Sequence, residues 1–127
     1  MHAGIAMVLI DKDGYILDVN LIINETMTYT REDLLGKHFS EFIYHEDLPE
    51  SLRWFEEIIS QKITHSPPLE KRYIKKDRTT TWGRNVYSSV SDAEGKVQLV
   101  VSIIQNIEQE KRAEEELQGT KDFLDKI

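Results

Sequence analysis

The sequence predicts an α+β domain, a five-stranded antiparallel sheet with its helices on one face and a further helix leaving at the C-terminus. Three observations predict it. Two β-branched runs joined by a turn open the chain, a stretch with helical apolar spacing follows, and three more strand-like runs joined by short turns come next. Consecutive strands with short connections pair antiparallel, and an insert between two groups of strands places helices beside a mostly antiparallel sheet.

The first strand is expected at Ile5 to Ile10 and the second at Tyr15 to Val19, with Asp11-Lys12-Asp13-Gly14 as the turn. Asn20 stands where a cap belongs before a short helix bearing Leu21, Ile22, Ile23 and Met27. Thr30 and Asp33 have capping-box spacing for a second helix, Arg31 to Leu35, which Gly36 stops. Phe39, Phe42, Ile43 and Tyr44 press a turn and loop onto the core. A longer helix is expected from Leu48 to Gln61, with Pro49 in its first turn, Asp47 as its cap, and Leu52, Phe55, Ile58 and Ile59 facing inward. Ser66-Pro67-Pro68 ends the insert. Strands are then expected at Leu69 to Lys75, Thr80 to Val90 and Val97 to Ile107. From Glu108 the pattern becomes a charged helix, with Ala113, Leu117, Thr120, Leu124 and Ile127 at alternating steps of four and three. That spacing describes a coiled-coil seam, although it covers few heptads, and Gly119 weakens the helix by about 1 kcal/mol relative to alanine. The alternative is an amphipathic helix lying on its own domain.

A chain of 127 residues has room for one core and an appendage, divided here into a domain over 1–107 and a helical linker over 108–127. Its net charge of -7 disfavours nucleic acid as a partner, because phosphate binding rests on clustered lysine and arginine. The one basic cluster, Lys71, Arg72, Lys75 and Lys76, reads as a solvated strand edge guarded by lysines. With no cysteine, disulfides, thiolate metal sites and thiol nucleophiles are excluded. No apolar run approaches the roughly 20 residues of a membrane span. Met1-His2-Ala3-Gly4 lacks the features of a secretory leader, so a cytoplasmic segment of a longer protein, without membrane contact of its own, is expected.

Several local motifs, in this order, resemble the PAS family and the C-terminal half of it often called PAC. Asp11 to Asn20 resembles the family's opening hairpin and its asparagine, and Thr28 to Lys37 is similar to its Gly-Tyr-Ser, Glu-Glu-Leu and Gly-Lys signature. His45-Glu46-Asp47 resembles the turn before the long helix. Lys75-Lys76-Asp77 with Trp82 resembles the Lys-Asp-Gly turn and tryptophan strand, and Asn106-Ile107-Glu108 stands where Asp-Ile-Thr is usual. Three positions depart from the pattern. Thr28 and Arg78 replace glycines, and Arg78 held at positive φ would cost on the order of 1 kcal/mol unless the turn shifts type. Asn106 replaces an aspartate and cannot form an ion pair at the junction between strand and helix.

The resemblance implies a cupped fold whose inner sheet face encloses a pocket that holds a cofactor, holds a small metabolite, or is filled by side chains. A covalent flavin adduct needs a cysteine, which is absent, and haem-binding members carry an axial histidine on the long helix, where Leu48 to Gln61 has none. The cofactor thus stays unassigned. Alternation along a strand puts Trp82, Val86 and Val90 on one face and Thr81, Gly83, Asn85 and Tyr87 on the other. By the resemblance the second set faces the pocket, with Val100, Ser102 and Ile104, which makes Asn85, Tyr87, Val100, Ser102 and Ile104 the candidate ligand-binding residues. Leu99, Val101 and Ile103 fall on an apolar outer face that needs cover. His2, His38, His45 and His65 are scattered without metal-ligand spacing, and no phosphate loop or nucleophile motif occurs.

The function implied is sensory input and dimerisation in a signal-transduction protein, without catalysis by this segment. The outgoing helix acts as a signalling helix, with Asn106, Ile107, Glu108, Ala113 and Leu117 as transmission residues. The expected partners are a second copy, a small-molecule ligand and a downstream output domain of the same chain. A sensor histidine kinase is the expected parent, with a diguanylate cyclase or a ligand-free dimerisation scaffold as alternatives.

Overall fold

The computed structural model describes residues 4–127. Met1, His2 and Ala3, part of the start read for a leader, lie outside the described residues. The elements in chain order are β1 (Ile5–Asp11), β2 (Ile16–Val19), α1 (Ile22–Met27), α2 (Arg31–Leu34), a 3-10 turn (Phe39–Phe42), α3 (Leu48–Ile59), β3 (Leu69–Ile74), β4 (Thr80–Ser91), β5 (Val97–Asn106) and α4 (Glu108–Asp125). All strand pairs are antiparallel in the order β2-β1-β5-β4-β3, so the two opening strands and the three closing strands join through β1 and β5. The expected fold class is therefore found.

Turn chemistry fixes the hairpins. At β1–β2 the carboxylate of Asp11 accepts from the amides of Asp13 and Tyr15, with Gly14 at φ 96°. At β4–β5 Asp92 accepts from Glu94 and Lys96 in the same way, with Gly95 at φ 84°. The β3–β4 turn keeps this design without its glycine. Asp77 accepts from the amide and hydroxyl of Thr79, while Arg78 sits at φ 73°. The turn has not shifted type, and arginine carries a strain of about 1 kcal/mol. Thr28, the other replaced glycine, closes α1 at φ 65°.

The insert corrects several details. Asn20 does not cap α1, because its side chain clamps β1 by accepting from the amide of Met7 and donating to the carbonyl of Ile5, both at 2.9 Å. The Thr30–Asp33 capping box forms as expected, but α2 stops at Leu34, where Leu35 turns extended. α3 ends at Ile59, two residues early, with Gln61 in the left-handed region. Phe55 and Ile58 are buried, whereas Leu52 is exposed. Asp47 precedes α3 without capping it through its side chain, since both carboxylate oxygens are engaged by Arg72 at 2.7–3.0 Å.

The basic strand is the largest correction. Lys71 is not an edge lysine in water but is 2% exposed, pointing into the core. Period-2 alternation explains it: Leu69 and Tyr73, two residues to either side, are also buried, so Lys71 shares their face. Helices α1 to α3 and the intervening loop cover that face, and Phe39, Phe55 and Tyr87 form an aromatic cluster at its centre with ring centroids 4.7–6.0 Å apart.

Candidate functional site

A cavity of about 40 Å³ lies between the inner sheet face and the insert, bounded by Val8, Ile10, Ile16, Ile23, Met27, Leu34, Phe39, Phe42, Ile43, Tyr73, Tyr87, Ser102 and Ile104. Its walls are apolar apart from two tyrosines and a serine. Of the candidate ligand-binding residues, Tyr87, Ser102 and Ile104 line it. Asn85 and Val100, each 0% exposed, lie in the surrounding core without bounding it. Gly83 lets Tyr73 and Ile104 of this wall pack closely against β4, because a methyl built on it would fall 2.7 Å from Tyr73 Cε2 and 3.0 Å from Ile104 Cγ2.

Beside the cavity runs a chain of buried polar groups. Lys71 Nζ donates to Asn85 Oδ1 at 2.8 Å and meets Tyr87 Oη at 3.1 Å. Asn85 Nδ2 in turn donates to Ser102 Oγ at 2.7 Å and to the Ile103 carbonyl at 3.0 Å. On the far side Ser51 of α3 faces the Tyr87 hydroxyl, outside hydrogen-bond geometry, and its Oγ has no partner. Burial disfavours the charged amine and holds Lys71 down to about 7, although Glu50 and Asp47 offset part of this from longer range. Burial likewise pushes the Tyr73 and Tyr87 phenols above their usual range. Sequence reasoning missed Lys71. The alternation of Leu69, Lys71 and Tyr73 was the signal that contained it.

The junction with α4 is built from the outer face of the same strands. Ile107, 1% exposed, plugs the core, while its amide donates to the Trp82 carbonyl at 3.0 Å. Asn106 Oδ1 accepts the Glu108 amide at 2.9 Å, taking one of the amides that open α4. Glu108 then reaches back to the Trp82 amide at 2.8 Å. One turn on, Lys111 Nζ sits 2.6 Å from Glu70 and 4.9 Å from the centre of the Trp82 ring. Arg84 bridges Glu70 to Glu110 at 3.0 Å each. Beyond Lys111 α4 leaves the domain, and Ala113 and Leu117 are exposed. The helix therefore does not lie on its own domain. Residues Glu70, Arg84 and Lys111, absent from the candidates, join the junction through ion pairs that strand and helix patterns cannot reveal.

No helix among the described residues is long and apolar enough to cross a membrane. No group of three histidine or acidic side chains among them is placed to hold a metal ion.

A family model described as PAS domain matches residues 4–109. The chain is 30% identical over 115 residues to the probable diguanylate cyclase DgcE of Escherichia coli, a match that takes in 90% of this chain and 10% of that protein. The chain thus spans about a tenth of the length of this curated relative. Among solved structures, the PAS domain of a protein from Colwellia psychrerythraea superimposes with a TM-score of 0.75 at 17% identity, covering 83% of this chain and 87% of that one. A sensory box histidine kinase/response regulator from Burkholderia thailandensis gives 0.71 at 16% identity, covering 98% and 93%. With the cupped sheet, the helical insert and the family match over residues 4–109 in agreement, the chain belongs to the PAS domain family and is a sensory module of signal transduction.

Proposed function

We propose that this chain is the cytoplasmic input module of a larger signalling protein, in which a change in packing around Lys71, Asn85, Tyr87 and Ser102 is passed through β3 and β4 to α4. The observation that carries this reading is the placement of β3. Lys71 points into the cup while its neighbour Glu70 holds Lys111 of α4 at 2.6 Å on the other side. A strand that moves to accommodate an occupant at Lys71 moves an anchor of the outgoing helix with it. The exposed residues Leu117, Phe123 and Leu124 along α4, Ile127 just beyond its end, and the outer-face residues Ile5, Met7 and Val90 suit a second copy, so the module acts as a homodimer. The 30% identity to a diguanylate cyclase supports that type of parent more strongly than a histidine kinase, because the kinase structure shares only the fold.

Deletion of Gln109 in the full-length parent tests rigid transmission. Removing one residue rotates everything downstream by about 100° around the helix axis. The expected result is an output locked on or off with the protein still folded. Output regulated as before would show that α4 is not a rigid transmitter and would favour a passive scaffold.

A further inference from the structure

An inward position on a strand between Leu69 and Tyr73 suits an apolar residue, yet it holds an amine. Two polar acceptors approach Lys71, and among the described residues no carboxylate is in ion-pair contact with it. The groups facing it are Asn85 and Tyr87 from β4, Tyr73 from β3 itself, and, at longer range, Glu50 of α3 and Asp47 before it. Asp47 is already occupied by Arg72. A buried ammonium without a counter-charge is costly, and a bound anion would supply one.

We infer that the pocket takes a small monocarboxylate, its carboxylate paired with Lys71 and its short apolar tail in the cavity among Val8, Met27, Phe39 and Ile104. The inference deepens the sensory reading above and rests on it for its biological meaning. Charge sets the valence: among the described residues Lys71 is the one buried cation, so a dianion or a phosphate would bury an unpaired charge. Tyr87 both lines the cavity and touches Lys71, so its hydroxyl is placed to donate to the second carboxylate oxygen, while Ser51, buried and without a partner, faces that hydroxyl from α3 without lining the cavity. Size sets the tail, because a cavity of about 40 Å³ admits only a few atoms.

Calorimetric titration of this chain with straight-chain monocarboxylates from acetate to hexanoate, and with the matching primary amides, tests the inference. At pH near 6 one or more acids should bind at least about tenfold more tightly than their amides, and the preference should weaken above neutral pH as the amine loses its proton. Lys71→Met should abolish the preference, and Lys71→Gln repeats the comparison with a polar side chain if the methionine variant does not fold. Equal binding of acid and amide, a preference that survives in both variants, or no binding of any acid would overturn it. Acids that bind without altering α4 would contradict the sensory role while leaving the ligand class intact. An α4 that responds to other stimuli while no acid binds would refute the ligand class alone.

Discussion

Between pH 7 and about 9.5 the unfolding free energy of this chain is expected to rise by roughly 2–3 kcal/mol, and in Lys71→Met that rise is expected to disappear. The folded amine is held down to about 7, whereas its ordinary value is 10.5. Between these values the unfolded chain carries a proton that the folded chain has released. Stability therefore increases with pH across this window and reaches its full value only near the unfolded value. Above about pH 10 the slope reverses, because unfolded tyrosines ionise while Tyr73 and Tyr87 are held protonated by burial. At pH near 6 the methionine variant gains by removing a buried charge, but leaves Asn85 Oδ1 without its donor, which costs about 1–3 kcal/mol. The two stability curves should consequently converge or cross as pH rises, which chemical denaturation at a series of pH values will show.

Ile107→Ala is expected to destabilise the domain by roughly 2–4 kcal/mol, the usual cost of truncating a fully buried isoleucine. Its effect should reach beyond stability, because Ile107 is the last core residue before α4 and the amide of Lys111 bonds to its carbonyl at 3.0 Å. Loosening it should lower the helical signal of the C-terminal segment in far-ultraviolet circular dichroism before the sheet melts. Leu117→Ala provides the contrast. Leu117 is 72% exposed, and its truncation should stay within about 0.5 kcal/mol in the monomer. Comparable losses from the two substitutions would mean that α4 is held along its length and not at its base.

Period and turn chemistry made most of the fold legible. Alternating runs located all five strands within one or two residues, and the Asp-x-x-Gly turns at Asp11 and Asp92 marked two hairpins. The same alternation separated Trp82 and Val86 from Asn85 and Tyr87, the family resemblance turned the second pair inward, and both of that pair are buried. Errors arose where a side chain had two uses open to it. Asn20 and Asp47 both have the chemistry of a helix cap, yet each satisfies a strand instead, and the strand that claims it is distant in sequence. Lys71 was hidden by its type. Lysine is rarely buried, so its charge outweighed the alternation that assigned it inward. The ion pairs from Glu70 to Lys111 and from Arg84 to Glu110 depend on how β3, β4 and α4 meet, which no local pattern encodes.

Coupling between the inside of β3 and the outgoing helix is tested most directly by amide hydrogen exchange of residues 107–118, followed from pH 6 to 8.5 and corrected for intrinsic rates. Protection at the base of α4 should change several-fold through the ionisation of Lys71 in the natural chain and stay constant in Lys71→Met. Corrected profiles that are indifferent to pH in both proteins, or that change equally in both, would mean that the pocket and the helix do not communicate.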